Sequence, residues 1–421
     1  MRKEDPKAIN QTDAALLDRV QRGTLAYFWN FAHPKSGMAR ERSNEASYDY
    51  LQTVTTGGTG FGVMALLAAS ERGFLPRTAV RARIARIVAF LGKAERYHGV
   101  FPHFLHGATG KTIAFSEFDD GGDLVETAFL MMGLLCARQY FSRATRQEVS
   151  LRAEIDQLWR GVEWDWHARG AQGPLYWHWS PNHQWQMNHA ITGWNEALVV
   201  YVLACASPTH AVPVECYHKG WAQSPTFQNG KRYFDIELLL GPPFGGPLFF
   251  SHYSFLGLDP RGLADRYADY FAQNRAHTLI NLSHCIKNPN GFAGYGADCW
   301  GLTACDCKDG YDAFSPDNDR GFIAPTAAIA AMPYAPEESM QALRHFLLTR
   351  GEQLWTPLGF RDSFSPDTGW VADGQLAIDQ GPIMVMIENH RSGLLWSLFM
   401  QVPEVQAALN KLGFSSPRLV V

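Results

Sequence analysis

Charge is scarce in this 421-residue chain: Asp, Glu, Lys and Arg make up 19% of it, below the roughly 25% of an average soluble domain. With 46% apolar residues, such a chain buries a large core, which excludes intrinsic disorder. Cations are not in surplus either. Thirty-seven Lys and Arg against 41 Asp and Glu leave a formal charge of −4, which excludes nucleic-acid binding through bulk charge. No apolar run reaches the ~18 residues of a membrane span, because Arg, Glu or Gly interrupts the longest candidates.

Linkers are missing as well. No Ser/Gly-rich or Pro-rich stretch and no block of like charge divides the chain, so residues 1–421 are expected to form a single domain, with 1–13 a flexible N-terminal segment. The opening MRKEDPKAINQTDAALLDRV holds no apolar signal core, so the protein is cytosolic if this is the full chain, or a leader has been removed. Seven Cys is an odd count for a disulfide framework. Cys136 and Cys205 fall in apolar helical runs and read as small buried hydrophobes. Cys299, Cys305 and Cys307 lack a second C-x-x-C or H-x-x-H at zinc-site spacing, so they are expected as free thiols or one local disulfide, with no metal. The phosphate-loop, serine-elbow, dinucleotide and zincin motifs are all absent, and no cofactor is expected.

What the chain does have is helical periodicity. Apolar residues recur at three- and four-residue spacing over Ala14 to Phe31, Gly60 to Ala69, Val80 to Leu91, Leu124 to Tyr140, Ala190 to Cys205, Leu263 to Ile280, Ala324 to Ala331, Ser339 to Leu348 and Leu376 to Met400. Paired helices joined by alternating short and long loops, several apolar on more than one face, predict an all-α fold: an (α/α)6 toroid with long loops. Tyr233 to Leu240 and Leu248 to Tyr253 are the best strand candidates, for one small β-hairpin.

Thirteen Trp add wide, flat surface with a polar edge, suited to a ligand with apolar faces and hydroxylated rims. Three stretches also carry carboxylates. In FSEFDDGGDLVETAF, Asp123 and Glu126 have the spacing of an N-cap and its capping box; Glu117, Asp119 and Asp120 crowd beside them, a density that raises some acid pKa values or holds a ligand. Glu196, in GWNEALVVYVL, is expected inside an apolar helix, where burial favours the protonated form a general acid needs; a nearby charge partner would make it merely structural. Trp177, Trp179, Trp185 and Trp194 lie beside it. In IDQGPIMVMIENHR, Asp379 reads as an N-cap or an active carboxylate. Glu388 and Arg391 read as a helical pair or, with Asn389, as ligands of sugar hydroxyls. A metal-free, aromatic-rich cleft with carboxylates is the equipment of glycoside hydrolysis.

These strings carry a resemblance. GGDLVETAFLMMGLLCARQYF, GWNEALVVYVLACASPTH, HYSFLGLDPRGLADRYADYF, GYGADCWGLTACD, GFIAPTAAIAAMPYAPEESM and AIDQGPIMVMIENHRSGLLW resemble the glycoamylase-like domain. Within it they are similar to glycoside hydrolase family 144, the endo-β-1,2-glucanases, over about Leu17 to Phe414. The resemblance implies a toroid that hydrolyses linear or cyclic β-1,2-glucan to sophoro-oligosaccharides. It implies Glu196 as general acid, with Asp119, Asp123, Glu126 and Asp379 as the further catalytic carboxylates. Trp177, Trp179, Trp194, Asn195, His210, Tyr295, Trp300, Glu388, Asn389 and Arg391 are the expected substrate contacts. His390 replaces the family's usual tyrosine, and the GLTA segment continues as CDCK. The expected partner is a glucan, the expected state a monomer, and the substrate implies the periplasm. Transglycosylation, exo-action on a related glucan, and glycan binding without catalysis are the alternative functions.

Overall fold

The computed structural model describes residues 12–44, 49–170 and 172–419. Its first helix, Asp13–Trp29, is capped by Thr12, whose hydroxyl accepts from the Ala15 amide. Thr12 and Asp13 are thus part of a folded helix start, and the rest of the segment expected to be flexible, 1–11, lies outside the described residues.

The fold is the expected double ring of helices. Thr56–Glu71 packs between Leu124–Tyr140 and Ala377–Arg391, which pack in turn against Leu198–Ala206 and Pro325–Ala330. These inner helices are apolar nearly all round, with every residue from Thr56 to Ala69 and from Leu124 to Ala137 buried. A helix without a polar face belongs in the middle of a large core. Two glycines bring the central pair together. A Cβ on Gly60 would lie 2.2 Å from the Phe129 carbonyl oxygen, and one on Gly133 would lie 2.1 Å from that of Gly60. Asp13–Trp29, Arg77–Leu91 and Arg146–Arg160 wrap the outside, each with a polar stripe.

Several boundaries differ from the sequence expectation. Residues 191–197 are not helical; the helix expected from Ala190 begins at Leu198. Gly193, at φ +77° with the Thr226 hydroxyl against its α-carbon, sets the turn. The long C-terminal run divides into Ala377–Arg391 and Leu394–Met400 at Gly393, whose φ of +69° ends one helix and starts the next. The hairpin forms, but between Gln228–Tyr233 and Ile236–Leu240; Leu248–Ser251 is a 3-10 turn. The periodicity also missed Arg146–Arg160 and Pro403–Lys411. Another hairpin pairs Ala304–Cys307 with Gly310–Ala313 and contributes Ala304 and Tyr311 to the lining of a cavity. All seven cysteines are buried free thiols.

Candidate active site

A cavity of about 540 Å³ opens where the inner helices start. Thr55 comes from the residue before Thr56–Glu71, Val125 and Glu126 from the first turn of Leu124–Tyr140, and Glu196 from the turn before Leu198–Ala206. Leu376 and Ile378 come from the start of Ala377–Arg391. Helix N-termini hold unpaired N–H groups and the positive end of the dipole, so carboxylates collect there at low cost. Phe115, Trp177, Tyr253 and Tyr311 supply much of the aromatic wall.

On one side three of the five crowded acids converge. Asp123 is the N-cap of its helix, its Oδ1 accepting from the Glu126 amide at 2.9 Å, while its Oδ2 accepts from His103 Nδ1 at 3.0 Å. Glu126 does not close a capping box. It turns to the neighbouring helix start, where its Oε2 accepts from the Gly57 amide at 2.6 Å and the Thr55 hydroxyl at 3.4 Å. Asp119 lies 3.3 Å from His178 Nε2 and 3.9 Å from His103. Glu117 is exposed, and Asp120 points away to accept from the Asn182 side chain at 2.6 Å.

This crowding separates the titrations. Burial, reinforced by the Asp123 charge, pushes Asp119 up to about 8. Burial also works to raise Asp123, but His103 and His178 outweigh it and hold Asp123 below the usual carboxylate range. Burial and Asp123 together raise Glu126. His103 is pushed up to about 10, because Glu126, Asp123 and Asp119 overcome the burial that disfavours its cation. His178, buried without enough compensation, falls to about 4. His103 is thus an imidazolium among carboxylates, and His178 is neutral. His103, Asp119 and Asp123 are also the one group among the described residues whose donor atoms lie within 4.8 Å of one another, the spacing a cation needs.

Glu196 lines the same cavity at 6% exposure. Its segment is anchored by Ser254, whose hydroxyl donates to the Glu196 carbonyl and whose oxygen accepts from the Val199 amide. Burial, with smaller contributions from Asp123 and Glu126, raises its carboxyl to about 7.

A second acidic group lies next to the lining residue Ile378 in the chain, outside the lining itself. Asp379 is not an N-cap; it lies in the first turn of its helix, buried against Asp362, and the two carboxyls share a hydrogen bond in which one of them carries the proton. Burial and Asp362 hold Asp379 well above the carboxylate range, and burial with Asp306 pushes Asp362 up to about 7. Asp362 also accepts from the Asp306 amide at 2.7 Å, which ties the pair to the hairpin that carries Tyr311. Arg42 joins Glu41 (2.9 Å) to Asp306 (3.2 Å) at the rim. Sequence reasoning missed His103, Glu41, Arg42, Tyr253, Tyr311 and Asp362, none of which falls in a dense carboxylate motif.

Of the expected substrate contacts, the structure brings Trp177 to the cavity wall and several others elsewhere. Trp194 is 2% exposed and stacked between Trp221 and Tyr270 at 5.7 and 5.6 Å; it holds the Glu196 turn from behind. Asn195 accepts from the Ala197 amide. Trp300 is fully buried, and Tyr295 donates to Asp319 at 2.9 Å. Glu388 pairs with Arg72, Arg391 with Asp18, and Asn389 bonds the Leu256 carbonyl and the Leu395 amide. Those three lie nine or more residues along their helix from Asp379, which at 1.5 Å per residue is about 14 Å from the cavity end. Trp179 and His210 belong to a separate surface cluster.

The Glycoamylase family model matches residues 188–403, and a second family of unknown function matches residues 20–121. An exo β-1,2-glucooligosaccharide sophorohydrolase (non-reducing end) of Parabacteroides distasonis is 44% identical over 95% of this chain; the chain spans 58% of that relative's length. The solved endo-β-1,2-glucanase from Chitinophaga pinensis, in complex with sophorotriose and glucose, is 51% identical, with a TM-score of 0.94 over 97% of this chain and 100% of that one. The β-1,2-glucanase from Parabacteroides distasonis gives a TM-score of 0.92 at 44% identity, over 96% of this chain and 60% of its own. With half of its length matched by the family model and an entire solved relative covered, the chain belongs to the Glycoamylase family.

Proposed function

We propose that the protein is a glycoside hydrolase of β-1,2-glucans that uses Glu196 as its general acid. The observation that carries this is Glu196 itself: a buried carboxyl on the cavity wall whose pKa of about 7 keeps its proton close to neutrality, which suits it to protonate a departing glycosidic oxygen. The 44–51% identity to a β-1,2-glucan hydrolase and a β-1,2-glucanase supports the substrate class.

Glu126 is the best-placed group to activate water. Both Asp123 oxygens are already engaged, by the Glu126 amide and by His103. Glu126 lines the cavity and commits only Oε2 to Gly57 and Thr55, leaving Oε1 to accept a proton. Its raised pKa makes it the stronger base. The acid and base together give hydrolysis in which Glu196 donates to the leaving oxygen as water adds to the anomeric carbon with loss of a proton to Glu126. His103, as an imidazolium, keeps Asp123 ionised beside them.

The test is release of reducing ends from purified β-1,2-glucan by the wild type and Glu196→Gln. A loss on the order of 10²- to 10⁴-fold is expected; equal rates would remove Glu196 from the mechanism. Mass spectrometry of the products separates the exo-action of the Parabacteroides relative from the endo-action of the Chitinophaga enzyme: sophorose alone marks the first, a ladder of sophoro-oligosaccharides the second.

A further inference from the structure

Outside the cavity, residues 163–170 and 172–190 assemble an aromatic shelf that the chemistry above does not use. Trp166 is 38% exposed, although large aromatic rings normally find cover. One of its faces is backed by His98, stacked at 3.7 Å and 12°, and His98 is itself fixed by Glu163 at 2.9 Å. Trp179 closes the corner, edge-on to His98 at 5.0 Å. Trp185 lies beside Trp166, with ring centres 6.2 Å apart and planes 32° from parallel. The Arg169 guanidinium sits over Trp185 at 5.3 Å.

The backbone is bent to make this arrangement. Of the eight non-glycine residues with left-handed φ among those described, four lie in this cluster: His98 (+52°), Arg169 (+54°), Gln184 (+52°) and Asn188 (+46°). Such conformations persist where the surrounding structure enforces them, and they gather at functional surfaces. Polar groups rim the shelf. Asp165 pairs with His210 at 3.1 Å, and Asn188 accepts from Arg169 at 2.9 Å.

We propose that this shelf is a second carbohydrate-binding surface, which holds a glucan chain where it leaves the cavity. Flat rings with rigid backing and a rim of carboxylate, imidazole and amide groups match the apolar faces and hydroxyl edges of pyranose rings. The shelf also continues the cavity. Trp177 is in the cavity wall, His178 contacts Asp119 and Asp123, and Trp179 is on the shelf. Two residues along an extended strand span about 7 Å, and Trp166 lies a further 6.2 Å from Trp179, so the shelf begins a short distance from the cavity wall. His210 and Trp179 thus serve glucan binding from outside the catalytic cavity. The occupant named here rests on the glucan reading of the cavity.

The experiment compares wild type, Trp166→Ala and Trp166→Phe on long β-1,2-glucan and on a sophoro-oligosaccharide short enough to fit the cavity. Removing one stacked ring is worth about a factor of ten in affinity. The expected result is a KM for the long glucan raised about five- to tenfold by Trp166→Ala and largely restored by Trp166→Phe, with kcat and the short-substrate constants unchanged. Retained thermal unfolding shows that the variants fold. An unchanged KM for the long glucan overturns the proposal, and so does an equal loss on both substrates. Affinity electrophoresis in glucan-containing gels reads the shelf separately. If wild type migrates more slowly than Trp166→Ala but cleaves no β-1,2-glucan, the shelf stands and the hydrolase reading fails; equal retardation with normal cleavage sinks the shelf alone.

Discussion

Glu196→Gln should slow catalysis on the order of 10²- to 10⁴-fold and stabilise the protein at the same time, and the second effect tests the site without any substrate. Burial holds the Glu196 carboxyl at about 7 in place of its ordinary 4.5. Each tenfold change in an ionisation constant is worth about 1.4 kcal/mol. Ionising Glu196 therefore costs the folded state about 3 kcal/mol that the unfolded chain does not bear. The sign follows from which state holds the proton. Below pH 4.5 both states are protonated and there is no penalty; the penalty grows as pH rises from 4.5 to 7 and is constant above. Gln keeps the shape and removes the charge. Urea denaturation at pH 4.5 and pH 8 is the assay: the variant should match wild type at the lower pH and exceed it by up to about 3 kcal/mol at the higher. A variant no more stable than wild type at pH 8 would refute the claim that the fold keeps Glu196 protonated. The same titration predicts that kcat/KM of the wild type falls as pH rises through about 7, when the acid loses its proton.

Gly57→Ala would put a Cβ 2.7 Å from Glu126 Oε2; it should cut kcat by on the order of 10²-fold through loss of the positioned base, measured on β-1,2-glucan with unfolding as the control. His103→Asn removes the cation that offsets Asp119, Asp123 and Glu126. Their titrations should move to higher pH, so the acid-side limb of the pH–rate profile shifts upward; a profile unchanged in position would count against the network. Trp194→Ala should behave as a core deletion, costing about 3–5 kcal/mol of stability with KM unchanged in the protein that still folds; a raised KM at full stability would return Trp194 to the substrate surface.

The ring of helices was legible because the inner helices are apolar on every face while the outer ones are striped, a contrast that periodicity detects. The motif carboxylates were legible for a related reason: in a chain with few charges, acids at helix starts stand out. Trp was less informative. Trp194 and Trp300 were expected at the substrate surface and are buried, because a core as large as this one needs large side chains as much as a sugar platform does. Glu388, Asn389 and Arg391 misled for a geometric reason. A motif that shares a helix with Asp379 shares its cavity only if the helix is short, and this one runs for 15 residues. The expectation of Glu196 inside a helix failed at Gly193, where a single left-handed residue delays the helix to Leu198.

That delay puts Glu196 in a turn, where it suits the role of acid proposed for it. Inside the helix, its backbone would be tied to neighbouring turns and its side chain directed into the ring wall. In the turn before the helix its carbonyl is held by Ser254, its neighbour Trp194 is stacked on Trp221, and it lines the cavity together with Glu126. The inner helices thus contribute to the site through their first turns, and the rest of each helix fixes where that turn lies. Two groups of acids, one reaching the cavity through Glu126 and one buried outside its lining, are tolerable in this arrangement because their charges are offset differently. Asp119, Asp123 and Glu126 share the His103 cation, whereas burial raises Asp362 to about 7 against a smaller pull from Arg42 and holds Asp379 well above the carboxylate range. On the proposed mechanism, the His103 cation thus stands on the side where Glu126 would take the proton from water.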